Sequence, residues 1–146
     1  MPDRITLTVA RLAREEAFRA DVYDDSTGEP IVLPTGGNPT VGYGCRVRQW
    51  SPAFASQVLT LQATERDTEL RQYAWYVSID EVRGSVLLDI AFNAGVAGLA
   101  NGYPRMIAAA TAQDWPSMAA ECTDRDPQLD ASRYAPLRAI ILSGVA

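Results

Sequence analysis

Neither histidine nor lysine occurs anywhere in the 146 residues. Without imidazole, Ser-His-Asp hydrolases, Cys-His peptidases and zinc sites built on His ligands are excluded as chemistry of this chain. Cysteine is limited to Cys45 and Cys122, 77 positions apart. Two thiols are too few for a structural zinc site and a thin basis for a disulfide, so both are expected to be free. Cys45 reads as a small, half-buried apolar residue, since no base is present to activate it. Long apolar runs are missing too: Met1 to Arg14 is interrupted by Asp3, Arg4, Arg11 and Arg14, so neither a signal peptide nor a membrane span is expected. Positive charge is scarce, with 13 basic residues, all arginine, against 18 acidic ones, for a net charge of −5. Nucleic acid, whose affinity comes mainly from Lys and Arg on phosphates, is therefore not an expected partner.

What is present begins with carboxylates. The segment from Ile5 to Phe18 reads as a helix whose apolar stripe is Ile5, Val9 and Leu12, with Arg4, Arg11 and Arg14 mostly on other faces. Glu16 falls four residues after Leu12 and continues that stripe, whereas Glu15 is rotated by about 100°. A carboxyl at the inner end of an apolar stripe is partly desolvated, which favours the neutral form a general acid requires. Nine positions on, Asp25 sits in the turn-forming run Asp21-Val22-Tyr23-Asp24-Asp25-Ser26-Thr27-Gly28. Carboxylates in turns stay hydrated and ionised, so Asp24 or Asp25 is a candidate base or nucleophile. Thr40 then opens the glycine-rich strand Thr40-Val41-Gly42-Tyr43-Gly44. One protonated acid and one ionised carboxylate across a sugar are the requirements for cleaving a glycosidic bond.

Taken together, Glu16-Ala17-Phe18-Arg19, Val22-Tyr23-Asp24-Asp25 and Pro39-Thr40-Val41-Gly42-Tyr43-Gly44 resemble the phage-type lysozymes (endolysins) of the T4 lysozyme family. In that family an Asp follows the Glu by nine positions, and a Thr begins a Thr-(Val/Ile)-Gly-Tyr-Gly strand. The Tyr two residues before the family Asp places the register on Asp25, and Phe92-Asn93-Ala94-Gly95 resembles the family's Phe-Asn-x-Gly helix end. The resemblance implies that Glu16 protonates the glycosidic oxygen, that Asp25 acts on the opposite side of the sugar, and that Thr40 helps hold the attacking water. The bond implied is the β-1,4 link between N-acetylmuramic acid and N-acetylglucosamine in bacterial peptidoglycan. No cofactor or metal is implied, and a monomer is expected. The resemblance further implies synthesis in the host cytoplasm and release to the wall through a separate holin-type pore. Lytic transglycosylases, which need one acid, and an inactive lysozyme-like binding or structural module are the alternatives.

The chain departs from the family pattern in places. Residues 26–39 lengthen the stretch before Thr40, with Thr27 and Thr35 lying nearer Asp25 as substitutes. Ala17 and Cys45 stand where the family often has Gly and His. The arginine pair of the family's last helix is reduced to Arg133-Tyr134, with Arg138 following. A net charge of −5 also removes the attraction to an anionic wall that basic lysozymes enjoy.

The composition, 47% apolar and 21% charged, suits one compact domain without repeats or linkers. The expected class is α+β, mainly helical: an N-terminal helix and small β-hairpin sheet over residues 1–48, then a helical lobe over 49–146. Within the lobe, Ser51-Pro52 predicts a helix start with a segment to about Leu61, and a second segment runs from Ala63 to Val77. Ser78-Ile79-Asp80-Glu81 has capping spacing before an apolar helix at 82–92. Gly95 and Gly98 are breaks, and helices are expected at 104–112, 116–122 and 131–142. Trp50, Tyr73, Trp75 and Trp115 read as core packing rather than sugar platforms, and Asn93 as a helix-end cap or a sugar contact.

The register assigned to the two carboxylates is directly testable. Glu16→Gln should abolish cleavage of peptidoglycan with the fold intact, and Asp25→Asn should come close, whereas Glu15→Gln and Asp24→Asn should be mild. A dead Glu15→Gln beside an active Glu16→Gln in a turbidity assay would reverse the assignment.

Overall fold

A computed structural model describes residues 2–15, 40–41, 45–46, 50–123 and 130–145. In chain order these form α1 (Arg4–Glu15), β1 (Thr40–Val41), β2 (Cys45–Arg46), α2 (Pro52–Leu70), α3 (Ala74–Val77), α4 (Glu81–Ala94), α5 (Val96–Gly102), α6 (Pro104–Thr111) and α7 (Trp115–Glu121). A π-helical turn (Asp130–Tyr134) then leads into α8 (Ala135–Ser143).

The expected α+β class does not hold. Over the described residues the protein is helical, and strand geometry is confined to two dipeptides, with Thr40 opposite Arg46 and Val41 opposite Cys45. Strands of two residues have no alternating face to bury, so they do not make the small sheet that was expected. The Ile31-Val32-Leu33 run assigned to the hairpin lies outside the described residues.

Local signals account for most helix ends. Asp3 starts α1, its carboxylate accepting from the Thr6 amide at 2.8 Å. Ser51 caps α2 through the Phe54 amide, with Pro52 at the first helical position. Asp80 caps α4 by accepting from the Arg83 amide at 2.9 Å. Burial pushes the Asp80 carboxyl up, but hydrogen bonds from the Arg83 amide and guanidinium outweigh it and leave the group below its usual range. Gly95, at φ 76°, ends α4 in a conformation L residues rarely adopt, and α5 leaves at 108°. Two expectations shift. The helix predicted to stop near Leu61 runs unbroken to Leu70, with α3 a separate turn, and Gly98 lies inside α5 rather than breaking the chain.

α4 is the axis of the lobe. Its residues 84–91 are all buried, so no wet face is left to it, as expected for a helix packed on every side. α1, α2, α5 and α8 pack around it, while α6 and α7 pack on each other, α6 reaching α3 and α5 and α7 reaching α8. Leu70, Tyr76, Leu87, Leu88, Leu99, Met106, Met118, Leu137 and Ile141 are fully buried in one continuous core. Trp75 and Trp115 pack against that core, as read from the sequence, and Trp115 carries the Arg83 guanidinium 4.3 Å above its ring. No single described helix is long and apolar enough to cross a membrane.

The first residue of α1 is locked into this lobe. Arg4, 2% exposed, donates from Nη1 to the Tyr76 carbonyl and from Nη2 to the Ile79 carbonyl, and its Nε and Nη2 engage both oxygens of Glu81 at 3.0 and 2.9 Å. Hydrogen bonding to Arg4 holds the Glu81 carboxyl below its usual range. The guanidinium also lies 4.5 Å over the Tyr76 ring, and the Tyr76 hydroxyl donates to Asp67 at 2.6 Å. Burial, and after it the Asp67 carboxylate, keep that phenol protonated well above its ordinary range.

Gly84 makes room for this arrangement, since a Cβ there would stand 2.8 Å from Arg4 Cζ. Alanine in a helix interior is normally worth about 1 kcal/mol over glycine. Here the guanidinium is pinned by three carbonyl or carboxylate partners and has nowhere to go. Gly84→Ala should therefore destabilise by about 1–3 kcal/mol, read as a lowered Tm in thermal melts. A raised Tm would mean that Arg4 yields freely.

Candidate functional site on the α1–α4 face

The side chains of α1 that face α4 are polar. Arg4, Thr8 and Arg11 are buried, and so is Leu12, whereas Ile5 and Val9 are only partly covered. This corrects the assignment of Arg4 and Arg11 to an outer face. Opposite them on α4 stand Glu81, Ser85 and Asp89, four residues apart, so both helices repeat at about one turn and their groups meet in order. Arg4 pairs with Glu81, the Thr8 hydroxyl donates to the Ser85 carbonyl at 3.0 Å, and Arg11 Nε donates to Asp89 Oδ2 at 2.7 Å. Arg11 Nη2 adds a 2.7 Å bond to the Ser85 carbonyl.

Asp89 is the hub. It is fully buried, and its second oxygen accepts from Arg133 Nη2 at 3.3 Å. One carboxylate thus joins α1, α4 and the π-helical turn. Asn93, one turn further along α4, donates from its amide to the Asp89 carbonyl at 3.0 Å, which is the helix-end role among the two read for it. Arg138 is engaged elsewhere, bidentate on Asp130 at 2.8 and 2.9 Å and donating to the Cys122 carbonyl. Cys122 itself is free and buried, and burial pushes its thiol up to about 12, so it is protonated and unreactive at neutral pH.

The predicted catalytic residues stand at and beyond the edge of this description. Glu16 and Asp25 lie outside the described residues, as do Asp24, Thr27 and Thr35. Thr40 is the first residue of β1, opposite Arg46. No distance among Glu16, Asp25 and Thr40 therefore belongs to the described structure.

A second feature lies where α5, α6 and α7 converge. A cavity of about 560 Å³ is lined by Gly102, Tyr103, Pro104, Arg105, Met106, Glu121 and Thr123. The Tyr103 hydroxyl meets the Tyr134 hydroxyl at 2.9 Å, which ties this cavity to the residue after Arg133. Among the described residues no group of three or more His, Cys, Asp or Glu is placed to hold a metal ion.

Arg11, Ser85, Asp89 and the cavity residues were not singled out from the sequence. A usable signal existed in the matched spacings, with Arg4, Thr8 and Arg11 on one helix and Glu81, Ser85 and Asp89 on another. Cations, hydroxyls and anions there fall in complementary order.

The model of one family, described as phage lysozyme, matches residues 13–126, more than three quarters of the chain. The chain belongs to the phage lysozyme family, whose name marks it as a glycosidase-type, peptidoglycan-hydrolysing protein. Comparison with curated proteins gave no match.

Removing Asp89 would leave two guanidinium groups at the helix junction without their shared carboxylate. Asp89→Ala should cost about 3–5 kcal/mol in urea unfolding, as for other buried pairs stripped of one partner. A loss below about 1 kcal/mol would show that the junction is held by apolar packing alone.

Proposed function

We propose that this protein is a muramidase that hydrolyses the β-1,4 bond between N-acetylmuramic acid and N-acetylglucosamine. Glu16 serves as the general acid at the glycosidic oxygen. Asp25, ionised, acts from the opposite side of the sugar, and Thr40 helps hold the attacking water. With water as the nucleophile the product inverts, which requires the wider of the two carboxyl separations used by glycosidases. The observation that carries this reading is the family match over 13–126, which contains all three positions in a chain devoid of histidine. Carboxylate chemistry is the hydrolytic chemistry such a chain retains.

The biological role that fits is lysis of the host cell during phage release. The enzyme is made in the host cytoplasm, passes a holin-type pore and acts on the periplasmic wall as a monomeric, single-domain protein. Nucleic acid and membrane insertion have no part in this role.

Product chemistry tests the reading. Purified protein and its Glu16→Gln variant are incubated with Gram-negative peptidoglycan, and soluble fragments are identified by mass spectrometry. Reducing N-acetylmuramic acid ends, absent with the variant, are the expected result. Anhydro ends would instead make the enzyme a lytic transglycosylase. No fragments at all would leave a binding or structural module.

A further inference from the structure

The chain has three asparagines, and the residue after each governs what its side chain can do. An asparagine carboxamide carbon is an electrophile, and the next backbone nitrogen can close on it to form a succinimide ring. Asn38 precedes Pro39, whose nitrogen has no hydrogen to lose. Asn93 precedes Ala94, and Asn101 precedes Gly102.

The last two form a nearly matched pair. Each is exposed and stands next to the final residue of its helix, α4 for Asn93 and α5 for Asn101. They differ in three respects. Ala94 carries a methyl that crowds the approach to its nitrogen, whereas Gly102 carries none. A Cβ placed at Gly102 would meet nothing within 4 Å, so that flank of the backbone is open. Asn93 Nδ2 is tethered to the Asp89 carbonyl at 3.0 Å, and Asn101 has no such tether among the described residues. Finally, α4 has 14 residues with eight of them buried, whereas α5 has seven and buries only Leu99. Helical backbone holds the carboxamide away from the following nitrogen, so the last turn must open for them to meet. A helix as short as α5 has little stability of its own, and a terminal glycine lowers it further. Its end is where opening is easiest.

We propose that Asn101-Gly102 is a self-modification site, at which the folded protein converts its own asparagine to aspartate and isoaspartate. The Gly102 amide gives its proton to hydroxide, and its nitrogen attacks Asn101 Cγ. The bond from Cγ to the side-chain nitrogen breaks, and ammonia leaves after taking a proton from water. Water then opens the succinimide at either carbonyl. Breaking the bond to Cγ restores the main chain and leaves an aspartate. Breaking the bond to the main-chain carbonyl leaves Gly102 attached through Cγ, with the backbone one methylene longer. Both products add a negative charge at the C-terminal end of α5, where the helix dipole is already negative. The isoaspartate also lengthens the chain just before Tyr103, whose hydroxyl meets that of Tyr134 at 2.9 Å, and Pro104, which opens α6. The α5–α6 junction therefore loosens as the molecule ages, whatever reaction the enzyme catalyses.

The test is to incubate the folded, full-length protein at mildly alkaline pH and cleave it at arginine. One peptide, Gly84 to Arg105, holds both Asn93 and Asn101, so each is the other's control. Mass spectrometry with fragmentation between the two positions reads the change from amide to acid. Enzymatic methylation of isoaspartate reads the longer backbone, and an unincubated sample corrects for conversion during digestion. Asn101 should convert at least about tenfold faster than Asn93, and faster still as the pH rises. Gly102→Ala, whose methyl has open space, should fold and slow the conversion by about tenfold. Converted protein should melt at a lower temperature than fresh protein, while Gly102→Ala protein keeps its Tm over the same incubation. Equal rates at Asn93 and Asn101 would overturn the proposal, as would a Gly102→Ala rate equal to that of the wild type. Full conversion with an unchanged Tm would overturn the loosening of the junction.

Discussion

The buried carboxylate of Asp89 ties the central helix of the lobe to α1 and to the turn before α8. It has no exposure and receives guanidinium groups from α1 and from the turn before α8. Those three segments are far apart in sequence, so their junction depends on a contact that no local rule creates. Ionised groups are costly to bury, and the cost is tolerable here because every partner is hydrogen-bonded. Arginine suits this use in a way lysine does not: its planar fork spreads donors over several acceptors, as Arg11 does with Asp89 and Ser85. A chain with no lysine has given its cations to internal geometry. Arg4, Arg11, Arg71, Arg83, Arg105, Arg133 and Arg138 all pair with carboxylates.

That use of arginine explains which parts of the fold were legible in the sequence. The helix start at Ser51-Pro52 and the stop at Gly95 are local events between neighbouring residues and fall where the capping and glycine patterns put them, whereas α4 is capped by Asp80 and not by the Ser78 of the capping-box spacing. Trp75 and Trp115, partly buried against the core, follow apolar periodicity in the same way, whereas Tyr73, read as core with them, is exposed. Arg4 and Arg11 defeated that logic. Periodicity treats a charged residue as wet, and their partners lie 77 and 78 positions away on α4. The sheet failed for the opposite reason. Thr40-Val41 has strand-forming residues and does pair, but among the described residues the pairing is two residues long on each side and forms no layer. The three candidate site residues were read from their motif, and two of them, Glu16 and Asp25, lie outside the described residues. The cavity beside Arg105 was invisible, since it is assembled from three helix ends that carry no shared pattern.

The lobe now presents two kinds of charge, separated by exposure. Interior pairs such as Arg4–Glu81 and Arg11–Asp89 orient α1 against α4. A general acid must sit within a fraction of an ångström of the oxygen it protonates, because geometry precedes pKa in such a role. Rigid anchoring of the preceding helix is the means of reaching that tolerance, and a guanidinium engaged by three acceptors at residue 4 is a rigid anchor.

The acidic balance of the chain bears on how it meets its substrate. With a net charge of −5, and with its described arginines largely neutralised by partners, the surface has no field to draw it to an anionic wall. At physiological salt such fields fade within about 8 Å in any case. Recognition must then come from short-range contacts made after encounter. Weak exposed ion pairs are suited to that task, because they add almost nothing to stability and so are free to be replaced by a ligand's own charges.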